Sequence, residues 1–488
     1  MTDTRRRIAI IGTGFSGLCI GHFLKKRDDA DITIFEKAGR IGGTWRDNIY
    51  PGAECDVPSA LYSFSFARNP NWTHKWSEQP EILAYMDQCC EKFGLMPHIR
   101  FNTEVTEARF DEAAGVWRVT AGGETSEFDV VISAVGQLHK PSFPAIEGAD
   151  SFEGTHFHSA EWDHRIDLAG KRVAVIGNAA SALQFIPQIA PNVAHMDVYQ
   201  RSANWVLPKN DRAYNAFEEW AGTALSPLTQ LYRFFLWFRA EVLLFPLMEG
   251  IEENGIRKKV KEQAIQYIHD NISDPVLREK LVPNYPVGAK RILFSDDYYE
   301  GLNRDNVKVV TDPIVRIVKN GVVTGDGTVR EADVLVYATG FVSTDFLTPM
   351  EVIGRGGQSL NDKWAANGAE AYFGITHTGF PNFFMMYGPN TNLGHNSIIV
   401  MIEAQTRFIL SCLDQLDARM AKWLDVTAQA QTAYNDHLAE RMEKMAWNAV
   451  EESWYKRDGK IINNWVGRTW EYRNRTKRMT PDAFEYGS

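Results

Sequence analysis

One pattern occurs twice in this chain and restricts its fold more than any other. Residues 8–11 (Ile-Ala-Ile-Ile) pass directly into Gly12-Thr13-Gly14-Phe15-Ser16-Gly17 and then into a helical pattern through Leu24. Residues 173–176 (Val-Ala-Val-Ile) pass in the same way into Gly177-Asn178-Ala179-Ala180-Ser181-Ala182, with Leu183, Ile186 and Ile189 at helical spacing. A strand without polar alternation, a turn of small residues and a helix form the opening βα unit of a parallel sheet covered on both faces. A single glycine turn is weak evidence. Two of them, each after a convincing strand, predict an α/β chain with two dinucleotide-binding, Rossmann-like units.

In the first turn Gly12 permits the tight bend, Gly14 lets backbone approach a pyrophosphate, and Gly17 allows close packing of helix on strand. The helix N-terminus presents unpaired N–H groups and the positive end of its dipole to the phosphates. Glu36 follows Gly12 by 24 positions (36 − 12), at the end of the strand-like run 31–36. A carboxylate there accepts hydrogen bonds from ribose hydroxyls and repels a 2′-phosphate, which suits FAD or NAD. Arg201 follows Gly177 by the same 24 positions (201 − 177), with Ser202 beside it. A guanidinium at that place pairs with a phosphate dianion, so the second unit is expected to take NADPH. Ala179 stands where a second glycine is usual, and its Cβ is expected to displace the pyrophosphate slightly. A flavin-type and an NADPH-type site in one chain point to hydride transfer between two cofactors that the protein orients. The chain has no CxxC motif to receive the electrons, which leaves oxygen as the natural acceptor.

Further strand-like runs are 128–135, 196–200 and 333–339, whereas 210–288 and 405–447 read as helical. The expected order is an FAD-binding domain at 1–145 and 333–488, the latter with C-terminal helices and a tail. An NADP-binding domain at 146–210 and 288–332 is inserted in it and carries its own helical insertion at 211–287. Lys+Arg number 52 against 62 Asp+Glu, a net charge of −10. That balance excludes the basic footprint of a nucleic-acid partner. Five scattered cysteines match neither a disulfide framework nor a zinc site, and the 12 histidines do not join them at ligand spacing. No metal is therefore expected, and a reducing, cytoplasmic setting is. The N-terminal apolar run is too short for a signal peptide. The apolar stretch 220–248 is broken by Arg233, Arg239, Glu241, Pro227 and Pro246, short of the ~20 apolar residues that span a bilayer. It reads as helices over a pocket, with membrane-surface contact as the other option; Phe234, Phe235, Trp237 and Phe238 are expected to be core or to shape substrate access.

Phe152-Glu153-Gly154-Thr155-His156-Phe157-His158-Ser159-Ala160-Glu161-Trp162-Asp163 resembles the FxGxxxHxxxW(P/D) fingerprint of type I Baeyer-Villiger monooxygenases. Gly42-Gly43-Thr44-Trp45 through Tyr50-Pro51-Gly52 to Asp56 resembles a second stretch of that family, and the likeness extends over nearly the whole chain. Related heteroatom-oxidising flavin monooxygenases usually carry Tyr or Phe at the position of Trp162. The resemblance implies that Ser16, Glu36, Thr44, Trp45, Asp56 and Tyr62 contact FAD, with the Val105 backbone at the adenine. It implies an NADP site from Gly177, Asn178, Ala179, Ala180, Ser181, Ala182 and Leu183, completed by Arg201, Ser202 and Lys290. Arg291 matches the active-site arginine, and Asp56 is expected to hold it. The implied substrates are an apolar ketone and O2, and the product an ester or lactone. The route is a C4a-peroxyflavin whose anion a fixed guanidinium stabilises. His158 is expected to link domains rather than transfer protons. Residues 387–396, rich in turn formers and amides, are a candidate pocket wall or an ordinary loop. Two other readings share the cofactors: oxidation of amines or sulfides by the heteroatom route, and a non-catalytic flavin-binding redox sensor.

Overall fold

The computed structural model describes residues 5–487 apart from 251 and 452; residues 1–4 and 488, at the outer ends of the expected domains, lie outside the described residues. Both glycine turns open parallel sheets. In the first sheet the strands run Phe383–Met385, Val130–Ser133, Arg6–Ile11, Ala30–Phe35, Ile99–Arg100. In the second they run Val307–Val310, His195–Tyr199, Arg172–Ile176, Val334–Tyr337, Thr155–His158. The unbroken apolar runs follow from burial on both faces. Ile8 and Ile10 pack into one core while Ala9 and Ile11 pack into another. Val173 and Val175 likewise face away from Ala174 and Ile176.

The chain crosses between the sheets along two neighbouring segments. Ser142 N donates to Gly340 O and Val342 N to Lys140 O, each at 2.9 Å. Helices Ala216–Ala224, Ser226–Arg239, Gly255–Asn271 and Pro275–Leu281 occupy the expected insertion. Among the described residues no helix is long and apolar enough to cross a membrane.

Three expectations change. The run 333–339 belongs to the second sheet, where Val334–Tyr337 pairs with both neighbours, so a boundary at 332/333 falls one strand early. The run 128–135 covers parts of two strands. Glu124–Phe128 ends a mixed sheet, in which it, Val116–Ala121 and Val105–Asp111 pair antiparallel and Glu351–Ile353 joins Val105–Asp111 in parallel, and Val130–Ser133 enters the all-parallel one. The stretch 405–447 is not one helical block. Ile398–Arg419 ends at Met420, which takes a left-handed φ of 52°, and strand Trp423–Val426 pairs with Phe484–Gly487 before helix Ala428–Met442 begins.

Candidate active site

The two turns adopt the same backbone. Gly12 and Gly177 have φ of 105° and 108°, a region L side chains rarely enter. A Cβ on either would run into a carbonyl, that of Ala134 or Ala338. The next positions are extended, Gly14 at φ −72°, ψ −172° and Ala179 at φ −83°, ψ −160°. Ala179 therefore fits its turn without strain. A Cβ at Gly14 would meet no protein atom within 4 Å, because that side opens on a cavity.

Both turns line this one cavity, of about 1430 Å³. Ser16, Glu36, Thr44, Trp45, Asp56, Tyr62 and Val105 line it with the first turn; Asn178, Ala180, Ser181, Arg201, Ser202 and Lys290 line it with the second. Gly17, Ala182 and Leu183 do not. Gly17 lies against the Gly12 carbonyl, and Ala182 and Leu183 are buried in the core under the second sheet. The helical turn carries these positions round to the sheet side, where they seat the helix.

At the first end the buried Glu36 carboxylate accepts from Thr13 N (3.1 Å), Thr13 Oγ1 (2.5 Å) and Arg46 Nη1 (2.8 Å). Arg46, next to Trp45, was not among the expected site residues; a cation beside the Glu36 carboxylate is legible only once the fold places it. Trp45 Nε1 donates to the Tyr62 hydroxyl at 3.1 Å. At the other end Lys290 Nζ donates to Ser202 Oγ at 3.1 Å, and Arg201 is exposed beside them. The buried acid at one end and the clustered cations at the other fit FAD and NADPH respectively.

Arg291 and Asp56 also line the cavity. Asp56 accepts two bonds from the guanidinium, at 2.8 and 2.6 Å, while the two side chains keep 30% and 21% exposure. Burial opposes the charge of Arg291, but the Asp56 carboxylate outweighs it and holds the pKa above its ordinary value. The cation is permanent. Tyr387 borders the cavity as well, and burial pushes its phenol above the usual range; its hydroxyl donates to Asn392 Oδ1 at 2.6 Å. Of the two readings of 387–396, pocket wall or ordinary loop, the first fits Tyr387, Asn392, Leu393 and Asn396, which line the cavity.

The segment carrying Asp56 is fastened to the second unit. Gln184, on helix Ala180–Ile189, accepts from the Tyr50 hydroxyl (2.9 Å) and donates to Glu54 O (3.0 Å). The Glu54 carboxylate forms an ion pair with buried Lys209. Gly52 rests on the Gln184 carbonyl so closely that a Cβ would not fit.

A family model described as flavin-binding monooxygenase-like matches residues 5–352. The chain belongs to that family. A Baeyer-Villiger monooxygenase of Pseudomonas aeruginosa is 42% identical over 484 residues, covering 98% of this chain and 91% of the relative. One of Streptomyces coelicolor is 42% identical over 483 residues, covering 98% and 92%. These place the chain with the Baeyer-Villiger members. A solved steroid monooxygenase bound to NADP is 30% identical with a TM-score of 0.85, covering 99% of this chain and 100% of that one.

In this flavin-binding monooxygenase the fingerprint segment meets the two crossing segments. His158 is buried and packs edge-on against Phe143 and Phe341, one from each crossing. Its Nδ1 accepts from Ala160 N at 3.1 Å, and burial lowers its pKa, so the ring is neutral near pH 7. Trp162 packs on Phe157 and Phe185, the latter on the helix of the second turn.

Proposed function

We propose that this chain is an NADPH- and O2-dependent Baeyer-Villiger monooxygenase that inserts one oxygen atom beside the carbonyl of an apolar ketone, giving an ester or lactone. The observation that carries the proposal is the Asp56-held Arg291 in a cavity lined by both nucleotide turns. Bound FAD supplies the flavin that takes a hydride from NADPH and activates O2. The chain's residues do the rest. Glu36 and the Gly12–Gly14 turn hold the flavin nucleotide, with Thr44, Trp45 and Tyr62 along the same wall. Arg201, Ser202 and Lys290 select the 2′-phosphate. Asp56 fixes the guanidinium of Arg291 by two bonds, so that it meets developing negative charge without reorientation. His158 links the units and moves no proton. The FAD-binding unit is built on the first sheet with the mixed sheet beside it, and the NADP-binding unit runs from Thr155–His158 to Val334–Tyr337.

A ketone substrate is supported by relatives named for Baeyer-Villiger activity, and a solved cyclohexanone monooxygenase 28% identical to the chain, TM-score 0.87, makes cyclic ketones the first to try. Trp162 at the fingerprint position and the relatives' names weigh against heteroatom oxidation as the main activity. The test is incubation of FAD-loaded protein with NADPH, O2 and a panel of linear, cyclic and aryl ketones beside organic sulfides. Ester or lactone from at least one ketone is expected. Sulfoxide with no ester from any ketone would return the heteroatom reading, and a flavin that NADPH does not bleach anaerobically would leave a redox sensor.

A further inference from the structure

Phe234, Phe235 and Phe238 are neither core nor cavity wall; they are 56%, 54% and 50% exposed. They belong to a larger stripe. Leu228, Leu231, Phe235, Phe238 and Val242 follow one another at steps of 3, 4, 3 and 4 residues along helix Ser226–Arg239 and its continuation, and all are exposed. Phe217 and Trp220, one turn apart on the preceding helix, add two more exposed rings.

The opposite side of the same helix is held by polar contacts. Arg233 Nη1 donates to Ala60 O at 2.7 Å, Thr229 Oγ1 accepts from Arg68 at 2.8 Å, and Trp237 Nε1 donates to Thr469 Oγ1 at 2.8 Å. This is an amphipathic helix mounted in reverse, with bonds inward and hydrocarbon outward. A soluble surface seldom leaves so continuous a patch uncovered.

The charge around the stripe indicates what covers it. Burial lowers the pKa of Arg233, and Arg68 and Arg473 add to the lowering; Arg473 does the same to Arg407. Arg68 and Arg233 are bonded on the inner side of the helix, Arg473 acts on Arg233 from the next layer with Glu403 opposing it, and Arg239 is exposed at the helix end. Of the carboxylates nearby, Glu218 is tied to Arg212 and Lys75, Glu241 is buried against Asn396, and Glu403, bonded to Ser65, offsets part of the positive charge. Glu219 is exposed on helix Ala216–Ala224. A local cationic excess on a chain of net charge −10 suits an anionic surface. Across a two-fold contact with a second copy, the same rim would face like charge.

We propose that the helix pair Ala216–Ala224 and Ser226–Arg239 rests its exposed apolar stripe on an anionic lipid bilayer, as a peripheral contact without spanning it. Interfacial helices of this kind sink their apolar face ~5–10 Å into the headgroup and acyl boundary, with Trp and Phe as anchors and cations at the phosphates. The inner side of the helix reaches the cavity wall, since Asn396 donates to Trp237 O (3.3 Å) and to Glu241 Oε1 (2.8 Å). An apolar ketone dissolved in the bilayer would thus be concentrated beside the cavity that consumes it.

The test is co-sedimentation of FAD-loaded, full-length protein with vesicles of phosphatidylcholine plus phosphatidylglycerol, and of phosphatidylcholine alone. The wild type is expected to sediment with the anionic vesicles and to be released by salt. The variant L231S/F235S/F238S is expected to bind about tenfold more weakly or less, and R407E/R473E to lose the preference for anionic lipid, with NADPH oxidation in vesicle-free buffer unchanged. If the triple variant does not fold, fluorescence serves instead: vesicles should blue-shift an emission component that Trp220→Phe removes. A wild type left in the supernatant, a triple variant that sediments like it, or an unmoved Trp220 component would overturn the proposal. So would light scattering that shows a wild-type dimer dissociated by the triple variant, which would assign the stripe to a second copy.

Discussion

Gly12 and Gly177 stand at the same point of two equivalent units. Each turn lies under the carbonyl of an alanine, Ala134 or Ala338, that directly follows a parallel strand. Each of those strands is preceded by an aspartate, Asp129 or Asp333, which accepts the backbone N–H of Arg7 (2.7 Å) or Arg172 (2.8 Å) at the start of the glycine-turn strand. Gly136 and Gly340 then take φ of 73° and 74°. The units part at the residue 24 positions past the glycine, where one has a buried acid and the other an exposed base. In the proposed function the duplicated backbone sets where a dinucleotide lies, and that one charge sets which dinucleotide it is.

The largest expected effect falls on the pair the two units share. Arg291→Ala should lower ester formation by about 10²–10³-fold, while anaerobic flavin reduction by NADPH, followed by rapid mixing, stays within a few-fold of wild type. Equal loss of both would show that Arg291 serves binding rather than the oxygen step. Next comes the charge that separates the units. Arg201→Ala should raise the KM for NADPH by about 10–100-fold and leave that for NADH unchanged, since charge-assisted hydrogen bonds contribute ~1.5–3 kcal/mol. A variant with undiminished preference for NADPH would break the contrast drawn between Glu36 and Arg201.

Tyr50→Phe removes one neutral hydrogen bond to Gln184 and should cost about 1 kcal/mol in thermal or denaturant unfolding. A larger share of NADPH oxidised without ester is expected with it, because the segment carrying Asp56 loosens from the second unit. The smallest effect is Ala179→Gly. The extended backbone there already accepts a Cβ, so the KM for NADPH should move by less than about threefold. A tenfold gain would mean that Ala179 does displace the pyrophosphate and that the two turns are less alike than their dihedrals.

Much of this was legible before the structure. Unbroken apolar strands, small-residue turns and the swapped charge at a fixed offset are local signals, and they named both nucleotide ends. Three kinds of information were not local, whereas two further features were. Ala182 and Leu183 belong to the motif, yet their side of the helix meets the sheet, as that of Gly17 does. The end of the second unit was readable in the sequence: Asp333-Val334 to Ala338-Thr339-Gly340 repeats Asp129-Val130 to Ala134-Val135-Gly136. The alternation of Trp117, Val119 and Ala121 likewise signals the antiparallel strand Val116–Ala121, whose side chains at those positions are buried. Arg46, Gln184 and Lys209 reach their partners across 10, 130 and 155 positions, and no spacing rule connects them. The outward stripe on helix Ser226–Arg239 was hidden for a related reason. Periodicity shows that a helix has an apolar face but not which way the face points.

Product analysis under heavy-isotope O2 tests the account most directly. With NADPH and an accepted ketone, the wild type should yield an ester or lactone carrying one labelled oxygen, placed between the carbonyl carbon and the migrated carbon. Product without label, or NADPH oxidised with hydrogen peroxide as the sole product for every ketone, would contradict it.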